Sequence, residues 1–156
     1  MWVYVKARKS FWLGTVYRPH YSSLTDEDNG ESILEKNIRQ VMEKSNHVIL
    51  VGDLNIDIRD KDNPECTTLN DICKPYGLKQ YVKKATRFNR NGKSTIIDHI
   101  WATSEADIVK TGTIHGISDH LGIYCKINKY PIHKSPPIIK VTASKTIIKK
   151  ILSKTQ

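Results

Sequence analysis

The stretch VILVGDLNIDIRD, residues 48 to 60, runs from an apolar block into oxygen-bearing side chains at every second position: Asp53, Asn55 and Asp57. On an extended chain alternate side chains point to the same side, so three such groups can converge on one ion or one phosphate. Three readings suit the pattern: a calcium loop, a catalytic carboxylate site, or a polar strand end. The calcium loop fails on spacing. An EF-hand needs Gly at its sixth position and a bidentate Glu at its twelfth. Counted from Asp53, those positions hold Ile58 and Pro64.

Two more clusters lie in or after apolar segments. TIIDHIW carries Asp98 and His99, and GISDHLGIY carries Asp119 and His120. A lone Asp-His pair is usually structural. Three such clusters assemble a site when their strands are neighbours in one sheet.

The elements that must position these groups are readable from pattern. WVYVKAR and SFWLGTVYR have the aromatic and β-branched content of strands. RPHYSSLTDEDNG reads as a loop. ESILEKNIRQVMEKS reads as an amphipathic helix, with Ile33, Leu34, Ile38, Val41 and Met42 on the 3.6-residue period. HVILVGD is continuously apolar, as a strand covered on both faces would be. PECTTLNDICKPYG reads as a second helix with Leu69, Ile72 and Cys73 inward and Gly77 past its end. LKQYVKKATRF is predicted to be a strand and NRNGKS a turn. STIIDHIWAT, DIVKTGTIHG and LGIYCKI complete the set of strands. This mixture makes an α/β or α+β layered domain.

The chain has 156 residues, enough for one domain, with 38% hydrophobic content and mean hydropathy −0.46. No apolar run is long enough to span a bilayer, so no membrane partner is expected. The first 20 residues lack a signal-peptide pattern, and an intracellular chain is expected. Cys66, Cys73 and Cys125 show no CxxC spacing and read as free thiols. The net charge is +9, yet residues 128 to 156 hold seven lysines and no acid. That segment, NKYPIHKSPP onward, reads as a basic tail or linker after a domain at 1–127. SKTIIKKILSKTQ is a candidate short amphipathic helix within it. Such a tail can attract polyanions or be a solvated linker.

In order and setting, Gly52-Asp53-Leu54-Asn55, Thr95-Ile96-Ile97-Asp98 and Ser118-Asp119-His120 resemble the motifs of the endonuclease/exonuclease/phosphatase superfamily, the DNase-I-like fold. VYRPHYSS ahead of a helix is similar in particular to the endonuclease domains of non-LTR retrotransposons. The resemblance covers residues 1 to about 127. It implies a layered α/β β-sandwich flanked by helices, and a phosphodiester hydrolase dependent on Mg²⁺ or Mn²⁺. It also implies DNA as the partner, an intracellular setting that includes the nucleus, and a retroelement context with an associated reverse transcriptase.

Residue by residue, the resemblance implies that Asp119 is a metal-site carboxylate and that His120 meets the phosphate oxygen. Asp98 would orient His120 through its other ring nitrogen. Asp53 would position or deprotonate the attacking water. Asn55 would donate to the phosphate, and Tyr17 would lie near it. The family often has Asn where His20 stands. His99, next to Asp98, points to the opposite face of its strand and reads as structural. Asp57 and His115 read as surface or supporting positions. Arg18, Arg87 and Arg90 are either phosphate contacts or solvated charges.

One departure bears on activity. The family's early strands carry an Asn and a metal-binding Glu, whereas residues 1 to 16 contain no Glu, Asp or Asn. The expectation is therefore the C-terminal portion of the fold, cleaving DNA poorly or not at all by itself. Two alternatives stay open: an inactive remnant that binds nucleic acid through its tail, and a hydrolase of inositol phosphates or phospholipid headgroups.

Overall fold

A computed structural model describes residues 1–128 apart from residues 8, 26, 29, 30 and 117. Of the tail expected at 128–156, only Asn128 is described, its N–H donating to Asp107 O at 2.9 Å, and the rest with its candidate helix lies outside the described residues.

Strands β1 (Trp2–Val5) and β2 (Phe11–Tyr17) pair antiparallel. The short strands β3 (Glu27–Asp28) and β4 (Glu31–Ser32) pair just ahead of helix α1 (Ile33–Met42). There follow β5 (Val48–Asp53), helix α2 (Pro64–Cys73), a 3-10 turn (Lys74–Tyr76) and β6 (Lys79–Gln80). Strands β7 (Arg87–Phe88) and β8 (Ser94–Thr95) form a small hairpin, and β9 (Asp98–Ala102) comes next. Strands β10 (Ile108–Ile114) and β11 (Gly122–Ile127) close the described chain as an antiparallel pair.

Five strands make one mixed sheet in the order β1-β2-β5-β9-β6. β2 and β5 run parallel, with α1 in the crossover between them, and β5 runs antiparallel to β9. The sheet is covered on both faces. Val48 and Leu50 of β5 pack with Ile38 and Val41 of α1 and Leu69 and Ile72 of α2. Ile49 packs on the other face with Ile100, against Ile108, Ile123 and Ile127 of the β10–β11 pair. The continuous apolar run of β5 is thus accounted for: successive residues meet opposite layers. The result is a layered α/β sandwich.

Local signals set the helix ends. Asn63 accepts the Glu65 N–H at 2.9 Å and Pro64 occupies the first turn of α2, where a missing N–H costs nothing. Gly77, at φ +69°, ends the turn that follows α2. Cys66, Leu69, Ile72 and Cys73 of α2 are buried. All three cysteines are free thiols, and burial pushes the Cys73 thiol up to about 12.

Two predicted strands are broken. LKQYVKKATRF pairs with β9 at Lys79–Gln80, adds one bond from Tyr81 N–H to Ile100 O at 2.8 Å, then leaves the sheet and joins the β7–β8 hairpin. STIIDHIWAT is interrupted at Ile96 and Ile97, because other groups take their backbone bonds. Leu54 N–H donates to Ile97 O at 3.0 Å and Ile58 N–H to Ile96 O at 3.1 Å. The Thr86 hydroxyl accepts from both Ile97 N–H and Asp98 N–H, at 3.2 and 3.1 Å. No helix among the described residues is long and apolar enough to cross a membrane.

Candidate active site

Strand register builds the site. Tyr17 is paired with Asp53 across the parallel β2–β5 contact, and Asp53 with Asp98 across the antiparallel β5–β9 contact. Paired residues of neighbouring strands project from the same face, so the three side chains form a row at the sheet's end. That face carries Ile49 and Ile100 further back, so the row lies on the β10–β11 side of the sheet.

Gly52 makes this row possible. A Cβ there would stand 1.7 Å from Val16 O, and the residue has φ +152°, so no other side chain fits between β2 and β5. The chain then turns through Asn55, a left-handed residue at φ +53°, a conformation that Asn tolerates better than most.

His120 arrives from the segment before β11. Its Nδ1 lies 3.1 Å from Asp98 Oδ2 and 3.3 Å from Oδ1, in a half-buried pair. Asp53, Asp98 and His120 place ligand atoms within 4.8 Å of one another, and among the described residues they form the group that could hold a metal ion. Asp53 Oδ1 accepts the Asn55 N–H at 2.9 Å. Asp53 Oδ2 receives no hydrogen bond among the described residues. One uncommitted carboxylate oxygen beside a second carboxylate suits a hard divalent ion, which takes oxygen ligands and keeps several waters.

The His120 segment is pinned from two sides. Arg87 and His120 form a β-bridge, Phe88 N–H donates to Asp119 O at 3.0 Å, and Leu121 N–H donates to Thr86 O. Thr86 therefore orders the Asp98 backbone with its hydroxyl and the His120 neighbour with its carbonyl. A Cβ on Gly116 would meet His120 O at 1.7 Å, so the segment closes tightly on itself.

The remaining sequence candidates are distributed unevenly. Asp119 is separate from the cluster: its carboxylate is 2.7 Å from Arg87 Nε, and that guanidinium holds it below the usual carboxylate range. Asn55 Nδ2 donates to Arg18 O at 2.7 Å. Tyr17 is 70% exposed at the end of the row. His20, Arg90 and His115 are exposed.

His99 is fully buried on the opposite face. Its Nε2 lies 2.9 Å from Ile56 O, and its Nδ1 accepts from Trp101 Nε1 at 3.2 Å, a pattern that calls for a neutral ring. Burial lowers its pKa accordingly.

Asp57 supports the site instead of entering it. Its Oδ1 accepts Ile96 N–H at 3.0 Å and Arg59 Nε at 3.1 Å. Burial pushes its pKa up, but these donors outweigh it and hold the carboxyl below its ordinary value.

Arg18 is not a solvated charge. It is buried against Glu65 in a bidentate pair at 2.8 and 2.9 Å. Glu65 and Thr86 are the groups that sequence reasoning missed. Neither belongs to a motif, and only the N-cap pattern Asn63-Pro64-Glu65 places Glu65 at a helix start.

Comparison with known proteins follows the same lines. The profile of a family described as endonuclease-reverse transcriptase matches residues 13–124. The endonuclease domain of TRAS1, a telomere-specific non-LTR retrotransposon, shares the fold at 16% identity and TM-score 0.64, over 78% of this chain and 58% of that one. A 3′ phosphatase, NExo from Neisseria, solved with a product DNA hairpin, matches at 16% identity and TM-score 0.59, over 76% and 62%. An endonuclease/exonuclease/phosphatase family protein from Leptotrichia buccalis matches at 19% identity and TM-score 0.54, over 82% and 52%. The chain thus spans between 52% and 62% of the length of these structures. Curated protein sequences give no match.

Proposed function

The chain belongs to the endonuclease-reverse transcriptase family, within the endonuclease/exonuclease/phosphatase superfamily, and from that membership we propose that it hydrolyses phosphodiester bonds of DNA with a divalent cation, as a retroelement-type endonuclease. The observation that carries this reading is the Asp98–His120 hydrogen bond beside the Asp53 carboxylate.

Asp98 accepts the Nδ1 proton of His120, which fixes the ring's orientation and leaves Nε2 to meet the substrate. The Nε2 of His120 hydrogen-bonds a phosphate oxygen and supports the charge that develops there. Asp53 Oδ2 orients a water and takes its proton. Asn55 lends an amide donor to the phosphate, and exposed Tyr17 meets the substrate at the end of the row. A divalent ion, Mg²⁺ or Mn²⁺, when bound would supply Lewis-acid stabilisation of the pentacovalent phosphorus. Asp53 and Asp98 would hold it, and Asp119, which is paired with Arg87 in this structure, is the further carboxylate that the family pattern assigns to the ion. Residues 1–127 carry this chemistry, while the lysine-rich segment at 128–156 adds a sequence-independent hold on the phosphate backbone. A DNA substrate fits an intracellular setting, the nucleus included.

The test is nicking of supercoiled plasmid with Mg²⁺, in which weak cleavage is expected of this chain. Nicking should disappear with a chelator and with His120→Ala. Full activity in His120→Ala would overturn the reading. Faster hydrolysis of inositol phosphates than of plasmid would move it to the small phosphoester class.

A further inference from the structure

We propose that Arg18 is the positioning residue of the site: clamped by Glu65, it sets where the turn bearing Asp53 and Asn55 stands. Asp53 and Asn55 are read above as reacting-site groups, and the inference rests on that reading.

Arg18 is only 7% exposed. Its side chain and its backbone grip the turn in succession. Arg18 N–H donates to Asp53 O at 2.9 Å. Nε donates to Leu54 O at 2.8 Å. Arg18 O accepts from Asn55 Nδ2 at 2.7 Å. The far edge of the guanidinium meets Glu65 Oε1 and Oε2 at 2.9 and 2.8 Å, and Nη1 also donates to Ser22 O at 2.5 Å. A planar guanidinium held by two parallel bonds has a fixed orientation, which a lysine ammonium cannot reproduce. Glu65 sits in the first turn of α2, so the helix is the anchor and the arginine the strut. What it holds is a turn that needs holding, because Asn55 sits in the sparsely populated left-handed region.

The test compares Arg18→Lys and Glu65→Gln with the wild-type protein. Four quantities are measured: kcat and KM for plasmid nicking with Mg²⁺, exchange protection of the Asn55 side-chain amide by ¹H–¹⁵N NMR, and the thermal unfolding midpoint. Arg18→Lys should lower kcat by about 10- to 100-fold with KM within about twofold, since misplacing a reacting group slows the chemical step more than binding. Asn55 protection should fall with it. Glu65→Gln keeps the arginine and one hydrogen bond, and should show the same split at about three- to tenfold.

Wild-type kcat with unchanged Asn55 protection in both variants would overturn the proposal. So would a raised KM at constant kcat, which would mean that Arg18 meets DNA directly. Unfolding of both variants would assign the pair to the core alone and also overturn it. A wild-type protein that does not nick DNA would sink the functional reading, while lost Asn55 protection in the variants would still support the strut.

Discussion

Asp53 and Asp98 stand directly opposite each other on antiparallel strands. Like charges in that relationship destabilise a sheet. The Asn55 N–H on Asp53 and the His120 ring on Asp98 offset part of the repulsion. A divalent cation would offset more, so Mg²⁺ should stabilise the fold. At tenfold saturation the gain is about 1.4 kcal/mol, or a rise of roughly 3 to 6 °C in Tm. Asp53→Asn should raise the Tm measured in chelator and abolish the Mg²⁺ response. An equal Mg²⁺ shift in wild type and Asp53→Asn would remove Asp53 from the ion's ligands.

Asp98→Asn keeps the shape of the side chain but loses the charge that orients His120. The kcat for nicking should fall by about 10²- to 10⁴-fold, as in other acid-histidine pairs, with DNA affinity little changed. Single-turnover kinetics on a labelled duplex separate the two effects.

Asp57 gives a pH signature. Its folded pKa is depressed, so below neutrality the unfolded chain takes up a proton before the folded one does. Its stabilising contribution is therefore full above the ordinary carboxylate value and is lost as pH falls through the lower folded value. Asp57→Asn should lower Tm by roughly 3 to 6 °C at pH 7. The gap to wild type should close in melts run progressively below the ordinary carboxylate value.

Gly52→Ala should be severe. The added methyl would collide with the Val16 carbonyl, which belongs to the neighbouring strand and cannot move alone. A loss of about 3 kcal/mol or more is expected, and chemical denaturation would measure it. Gly92, where a Cβ would meet nothing within 4 Å, is the control with a positive φ but open space.

Removing residues 129–156 should weaken DNA binding and flatten its dependence on salt, because those lysines release counterions on contact. The melting of the remaining chain should be unaffected. Equal salt slopes with and without the segment would exclude it from the DNA contact.

What was legible in the sequence was local. The apolar run of β5 announced a strand covered on both faces, and Asn63-Pro64 with Gly77 bracketed α2. Alternation along β9 put His99 on the face opposite Asp98, where it is buried. What was not legible depends on partners far away in the chain. Arg18 next to a proline looks like a phosphate contact until Glu65, 47 residues on, is seen to hold it. Asp119 next to His120 looks like part of the cluster until Arg87, 32 residues earlier, takes its carboxylate. The strand break at Ile96–Ile97 follows from backbone bonds to Leu54, Ile58, Asp57 and the Thr86 hydroxyl, which no periodicity marks.

The row Tyr17–Asp53–Asp98, closed by His120, also has a kinetic meaning. Each of its members comes from a different segment, joined only by long-range pairing. Contacts of that kind form slowly, because loop-closure entropy is lost before they can stabilise anything. As the chain emerges from its N-terminus, Asp53 is made well before Asp98 and His120 exist to stand beside it. No intermediate built from β1 to β5 alone can bring the three groups together. The assembled cluster is therefore a late product of folding, and recovery of nicking after dilution from denaturant should trail the recovery of helical signal.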